Sequence, residues 1–457
     1  MKKCFFFLLS VFIQDVFAAG CITPAMQDTI SPGEARVDTL PGKMLSQRAA
    51  PGNKTGTAVS AGGSARLQYF YLRNEQWGDA PKDNDGFVMA RFLWHGAVQW
   101  NSRLKTFVQL QSSLANGKND MSPVDENPLD VHQAYVHYKV PLSDSLSMLL
   151  RVGRQEFSYG SQRLISVREG PNNRQAFDAA NMIMQRKDLR LDAFFSYYVA
   201  ARNGIFDDGF RRDTRLWGVY LVKNQVPVLK NADFYYLDIC KKQAAFEDGT
   251  GMEQRHSIGT RIWNKTGNTM YDLEAVYQYG RFASKAIRAY TVSLNTAYRF
   301  NRCKYEPEIG IKTELISGDK TPGDDRLQTF NPLFPRGAYF GLAALIGPAN
   351  LIDVHPYFNC VLHPTLDWGM DLDIFRRYST RDGIYGPNVA LIYPGANVAP
   401  AFIGSQLATN LEFSASNALA LTWEFTWFNA GPFLRAAGNG KDIIFTAVTL
   451  QYKFSSN

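Results

Sequence analysis

The groups in this 457-residue chain that could do chemistry are six histidines, five cysteines and a long series of charged side chains. The histidines are scattered. On a strand His132 and His137 fall on opposite faces, so they could share neither a metal nor a catalytic triad. No Gly-x-Ser-x-Gly turn and no zinc-type Cys/His spacing occurs. The reading is therefore not an enzyme, with no cofactor and no metal. The charges behave differently, because they recur at every second position. Through the first ten segments the polar parity carries Arg91, Arg103, Lys105, Arg151, Arg190, Arg255 and Arg261. In the later segments it carries Asp272, Glu274, Asp371 and Asp373, with Glu308, Glu314, Glu412 and Glu424. Such rows suit the conduction of a polar solute. If the segments close into a ring, one arc of the wall is basic and the facing arc acidic, which predicts a transverse field. Nucleic acid is not indicated, since the charge is spread along strands without a basic aromatic groove.

The elements that must position these rows are strands. Ala134, Val136, Tyr138 and Val140 alternate with Gln133, His137 and Lys139; Leu419, Leu421, Trp423, Phe425 and Trp427 alternate with Thr422, Glu424 and Thr426. About eighteen such segments begin between residues 65 and 441. Their connections alternate short and long. Asn101-Ser102, Lys187-Asp188 and His363-Pro364 are tight, whereas 115–129, 156–173, 317–339 and 379–401 are long. Together with a high aromatic content (31 Phe, 22 Tyr and 8 Trp), this predicts an all-β fold, a transmembrane antiparallel β-barrel. Its short turns would be periplasmic and its long loops extracellular. No run after residue 20 approaches the ~20 apolar residues of a spanning helix. Trp94, Trp100, Trp368, Trp423 and Trp427 lie on the outward, apolar parity. A barrel of this size should enclose a water-filled channel.

Residues 1–18 read as a signal peptide, with Lys2 and Lys3 before an apolar run and a small-residue cleavage site. Cys21 follows a box similar to that of lipoproteins. Residues 19–64 read as a flexible periplasmic extension, and residues 65–457 as the outer-membrane barrel of a Gram-negative bacterium, with outer-membrane lipid as its surroundings. Cys303 and Cys360 fall at neighbouring periplasmic strand ends, where a disulfide is geometrically possible. The link 156–173 holds Arg163, Arg168 and Glu169, with Arg174 just beyond. Its Gly160, Gly170 and Pro171 would let it fold into the pore. The stretch 331–339 is too apolar for a free loop and should pack on the mouth or fold inward.

At these two loops the sequence resembles a known family. Gly153-Arg154-Gln155-Glu156, Ser158-Tyr159-Gly160, Arg163-Leu164, Val167-Arg168-Glu169-Gly170-Pro171-Asn172 and Arg174 with Phe177-Asp178 look like the alginate-export family of outer-membrane barrels. Phe330-Asn331-Pro332-Leu333-Phe334-Pro335 with Gly337, Tyr339 and Phe340 is similar too. The resemblance implies a monomeric, eighteen-stranded barrel that passes or exports an anionic saccharide through an arginine-lined conduit, with a periplasmic export partner. At matching positions it points to Arg154, Arg163, Arg168, Arg174 and Arg336. The expected function is passage or export of a polar, anionic saccharide. The alternatives are a general small-solute porin, an outer-membrane hydrolase or acyltransferase, and a plugged structural barrel.

Overall fold

A computed structural model describes residues 57–456 except 83, 84 and 144. The leader and most of the N-terminal extension lie outside the described residues. Alternating sequence becomes eighteen long strands. They are β1 (Ala58–Arg73), β2 (Phe87–Gln99), β3 (Leu104–Asn116), β4 (Asn127–Ser143), β5 (Leu146–Gln155), β6 (Phe177–Arg186), β7 (Leu189–Ala200), β8 (Gly209–Val226) and β9 (Lys230–Phe246). The second half holds β10 (Gly249–Asn264), β11 (Thr269–Phe282), β12 (Lys285–Arg299), β13 (Glu308–Ile316), β14 (Leu351–His363), β15 (Leu366–Arg377), β16 (Phe402–Ser414), β17 (Leu419–Ala430) and β18 (Ile443–Ser455). Each pairs antiparallel with the next, and β1 pairs with β18, from Gly62 opposite Ser455 to Arg73 opposite Ile444. The ring is therefore closed, and no sheet edge is left to satisfy inside hydrocarbon. β1 starts at Ala58, ahead of the onset expected near residue 65.

The outward parity is apolar and exposed, as at Val136, Val152, Phe195, Ile258, Trp94, Trp423 and Trp427. This is the face a lipid bilayer covers. The inward parity is polar toward the periplasmic ends of the strands but apolar toward the extracellular ends. Phe177, Phe194, Leu216, Leu237, Ile239, Phe375 and Phe428 there pack against Phe157, Leu164, Ile165, Phe330, Leu333 and Phe334 of two loops. The expectation of a water-filled channel in place of a packed interior is corrected accordingly. Its extracellular half holds a packed core, because these inward apolar residues bury themselves against loops that enter the lumen. Cys303 and Cys360 are both free thiols.

One register detail overturns an expectation. A β-bulge in β4 places Val131 opposite Leu110 and Gln133 opposite Gln109. The extra residue, His132, is thereby re-aimed into the lumen, where it meets Glu156 at 2.7 Å. His132 and His137 do not lie on opposite faces as plain alternation required.

Candidate functional site

The link between β5 and β6, residues 156–176, crosses the lumen. It leaves the wall at β5 and touches two distant arcs. On one side Glu169 meets Arg66 of β1 and Arg91 of β2. On the other side Arg163 meets Glu274 of β11 at 3.4 Å and pairs closely with Glu314 of β13. The link between β13 and β14, residues 317–350, also folds inward. The two loops meet as backbone: Phe334 N–H donates to the Leu164 carbonyl (2.9 Å), Ser166 N–H to the Phe334 carbonyl (3.0 Å) and Arg336 N–H to the Gln162 carbonyl (3.2 Å). The first loop folds inward as expected, and of the two placements open to the stretch 331–339 the structure has the inward one.

The docking of the first loop is electrostatic. Arg66 and Arg91 face each other directly across β1 and β2, a like-charge pair that is destabilising alone. Glu169 relieves it. Its carbonyl accepts from Arg66 Nη1 at 2.8 Å and its carboxylate pairs with Arg91. Arg66 also donates to the carbonyl of Pro171 (3.0 Å). Arg174 then bridges Glu169 (3.3 Å) and Glu156 (2.9 Å). Burial alone would raise the Glu169 carboxyl, yet the guanidiniums of Arg91, Arg174 and Arg66 hold it down at about 2. Asn172 finishes the anchor, donating to the carbonyls of Leu114 (3.0 Å) and Asp125 (2.9 Å).

The loops also interlock sterically. A Cβ on Gly337 would lie 2.2 Å from Pro171 Cδ. Gly337→Val should therefore push the two loops apart. Single-channel conductance of the refolded barrel is expected to rise while its thermal midpoint changes little, because the wall is untouched; unchanged conductance would show that the loops do not set the bore.

The other predicted residues sort into three groups. Several are spent on partners. Arg190 holds Asp192 (2.7 Å), and Arg255 holds Glu253 (2.6 Å) while donating to Gln278 and the Thr329 carbonyl. Arg261 holds Asp272 (2.5 Å) and Asp233 (3.3 Å). Glu274 accepts from Tyr235 at 2.6 Å besides meeting Arg163. Two residues are not in the lumen. Arg103 is exposed in the turn before β3. Arg154 lies on the outward parity at the end of β5, held by Asp178 (2.9 Å) and the Val131 carbonyl (3.1 Å). Alternation placed Arg103 one residue into a strand that begins at Leu104, and Arg154 needed the wall's register to be placed. A third group stays outside the close ion pairs. Lys105, Arg151, Arg168 and Arg336 line the lumen with no carboxylate ion pair among the described residues, and Lys241, opposite Glu253 across β9 and β10, shares that carboxylate with Arg255. Lys241 was not foreseen; it sits over the Phe334 ring at 5.8 Å, and only the loop's position makes it part of the constriction.

The predicted transverse field is corrected by the same pairing. Arg261–Asp272 straddles the boundary between the two arcs, and the loop carries Arg163 to the acidic side. Buried charges that lose water must find a counter-charge, so neighbouring arcs neutralise each other. What survives of the acidic arc is Asp353, Asp371 and Asp373 around His355, with Glu412 and Glu424 beside them.

The sequence model of a family described as alginate export matches residues 57–442. A search among curated proteins finds no match. Among solved structures, the barrel is similar to Pseudomonas aeruginosa OccK3 (OpdO), with a TM-score of 0.58, 12% identity, and 87% of this chain and 96% of that one covered. It is similar also to Pseudomonas aeruginosa OccK2 (OpdF), solved in complex with glucuronate, with a TM-score of 0.55 and 10% identity over 88% and 98% of the two chains. Pseudomonas aeruginosa OpdK, solved with vanillate, gives 0.54 and 9% over 87% and 99%. At these identities the likeness is one of fold.

Proposed function

The chain belongs to the alginate-export family and is an outer-membrane β-barrel channel of a Gram-negative bacterium; from that premise we propose that it passes small carboxylate-bearing saccharides. The observation that carries this reading is the set of cations left outside the close ion pairs, with Lys241 only sharing Glu253 with Arg255. Lys105 lies near the periplasmic end of β3, Arg151 in the middle of β5, Arg168 and Arg336 on the two inward loops, and Lys241 toward the extracellular end of β9. In a lumen where the other basic residues are mostly paired, these five offer an anion successive, incompletely satisfied partners. A charge-assisted hydrogen bond to a guanidinium suits a carboxylate, and a narrow low-dielectric passage strengthens it. The two loops, joined through their backbones, divide the lumen, which favours a monomer or short oligomer over a threaded polymer. The fold-relative OccK2 was solved with glucuronate, a ligand of the class proposed. The chain would act as a channel, not an enzyme, and as a single barrel.

The test is current through the refolded barrel in a planar bilayer, with glucuronate, glucose and a polyuronate added in turn. Glucuronate is expected to block at concentrations where glucose does not. Replacing Arg168, Lys241 and Arg336 together by Gln should weaken that block about tenfold or more, or ~1.4 kcal/mol. Equal block by glucose and glucuronate would make this a general small-solute porin. Block by the polyuronate alone would restore the polymer conduit.

A further inference from the structure

On the wall of β14 and β15 the structure assembles a set of groups that solute passage does not use. Asp353 and His355 project inward from β14, and Asp371 and Asp373 from β15. Asp353, His355 and Asp373 are all buried, and one ligand-type atom of each lies within 4.8 Å of the other two. His355 Nδ1 is 3.9 Å from Asp353 Oδ2 and in close contact with Asp373 Oδ1. Asp373 Oδ1 and Asp353 Oδ1 are fully buried and receive no hydrogen bond.

We propose that Asp353, His355 and Asp373 form a binding site for a divalent transition-metal ion of the zinc type, with His355 Nδ1 and one oxygen of each carboxylate as ligands. Three arguments carry it. The first is geometry. Ligand atoms around a tetrahedral ion with bonds of ~2.0–2.1 Å stand roughly 3.3 Å apart. At 3.9 Å the Asp353–His355 separation is somewhat wider than that and the Asp373–His355 contact closer, so Asp353 would draw in and Asp373 draw back, each by under about 1 Å. The second is the surroundings of the ligands. The other ring nitrogen, His355 Nε2, faces Asp371 Oδ1 at 3.5 Å, close enough to become a hydrogen bond though it makes none here, and Gln406 Nε2 donates to Asp373 Oδ2 at 2.9 Å. A metal-bound imidazole characteristically gives its second N–H to a carboxylate, and a liganding carboxylate is itself held by a hydrogen bond. The third is charge. Asp353, Asp371 and Asp373 converge here with Glu424 beside Asp371, whereas Lys312, the cross-strand partner of His355, and Arg336 across the gap supply two positive charges. Arg163 does not add another, since it is engaged by Glu274 and Glu314. A dication balances what remains, which a burial this deep requires. One nitrogen and two oxygens favour zinc over calcium, which takes six to eight oxygens. Asp353 and His355 also line the gap beside Arg336 and Tyr339, so the fourth position of the ion would open toward the lumen. The site stands independently of which solute passes.

The experiment uses the full refolded barrel in detergent, stripped with EDTA and returned to metal-free buffer. Zinc chloride is titrated calorimetrically, and cobalt chloride is followed by its visible absorption. One equivalent of zinc is expected to bind, and cobalt should give the intense bands of a four-coordinate ion. His355→Ala should weaken zinc binding by more than about 100-fold, and Gln406→Leu by about 10-fold. Far-UV circular dichroism and conductance show that each variant is folded. Gln406→Leu, which removes no ligand, keeps the test open if His355→Ala fails to fold. No saturable zinc binding, or binding unchanged by both substitutions, overturns the proposal. It would leave these carboxylates balanced by protons instead.

Discussion

Replacing Glu169 with Gln should release the loop that crosses the lumen and open the channel. The carboxylate answers Arg66 and Arg91, which are 6% and 2% exposed, and Arg174 as well. Gln keeps the shape but removes the charge, leaving two facing guanidiniums buried with only carbonyls for partners. Removing one member of a buried pair costs ~3–5 kcal/mol. Some of that is recovered here by water entering from the lumen, so about 2–3 kcal/mol is expected against loop docking. The measurements are conductance, which should rise and grow noisy, and proteolysis at residues 156–176, which should become fast. A quiet channel of normal conductance would show that the interlock with residues 331–339 holds the loop by itself. The same pair sets a pH limit. The Glu169 carboxyl is lowered in the folded barrel from its ordinary 4.5 to about 2. Its stabilisation is thus complete above pH 4.5 and is lost as pH falls through about 2. Conductance should remain that of the docked channel at pH 4 and rise only near pH 2.

Arg163→Met acts on the opposite wall and should change selectivity more than size. Arg163 is the counter-charge of Glu274 and Glu314, both buried. With it gone, two carboxylates face each other's field across β11, β12 and β13, with Tyr235 and Tyr339 as hydrogen-bond donors. At neutral pH the constriction gains negative charge, so the reversal potential in a salt gradient should shift toward cation selectivity. Glucuronate block should weaken at least tenfold, or ~1.4 kcal/mol. Adding Glu314→Gln should restore much of both, since the double variant returns the local charge to its original balance. No shift in reversal potential would mean that ions do not pass beside Arg163.

The barrel was legible in the sequence because a strand's alternation is local. Each of the eighteen segments states its own inward and outward faces, and the short–long alternation of connections orients them. Even the weakest, near residue 350, is the full strand β14. Charge rows were legible for the same reason, down to Asp272 and Glu274 facing inward. The first loop was legible as inward-folding, from Gly160, Gly170 and Pro171, and the second, from its apolar run, only as not free in solvent.

The sequence by itself thus determined that there is a membrane barrel and most of the residues that face its lumen, Arg103, Arg154 and His132 excepted. What each lumen charge does was decided only by tertiary structure. Arg163, Arg168 and Arg174 look alike in a sequence. Once the loop crosses the barrel, Arg163 pins it to Glu274 and Glu314, Arg174 bridges Glu156 and Glu169, and Arg168 is left without a carboxylate. Arg91 and Arg255 read as conduit residues and are an anchor and a buried pair. His132 reads as outward and is turned inward by one extra residue in β4. The physical reason is common to all of them. Facing follows from a period of two along the chain, whereas a charge's role depends on which counter-charge reaches it through a low-dielectric interior, and those partners come from strands and loops far away in sequence.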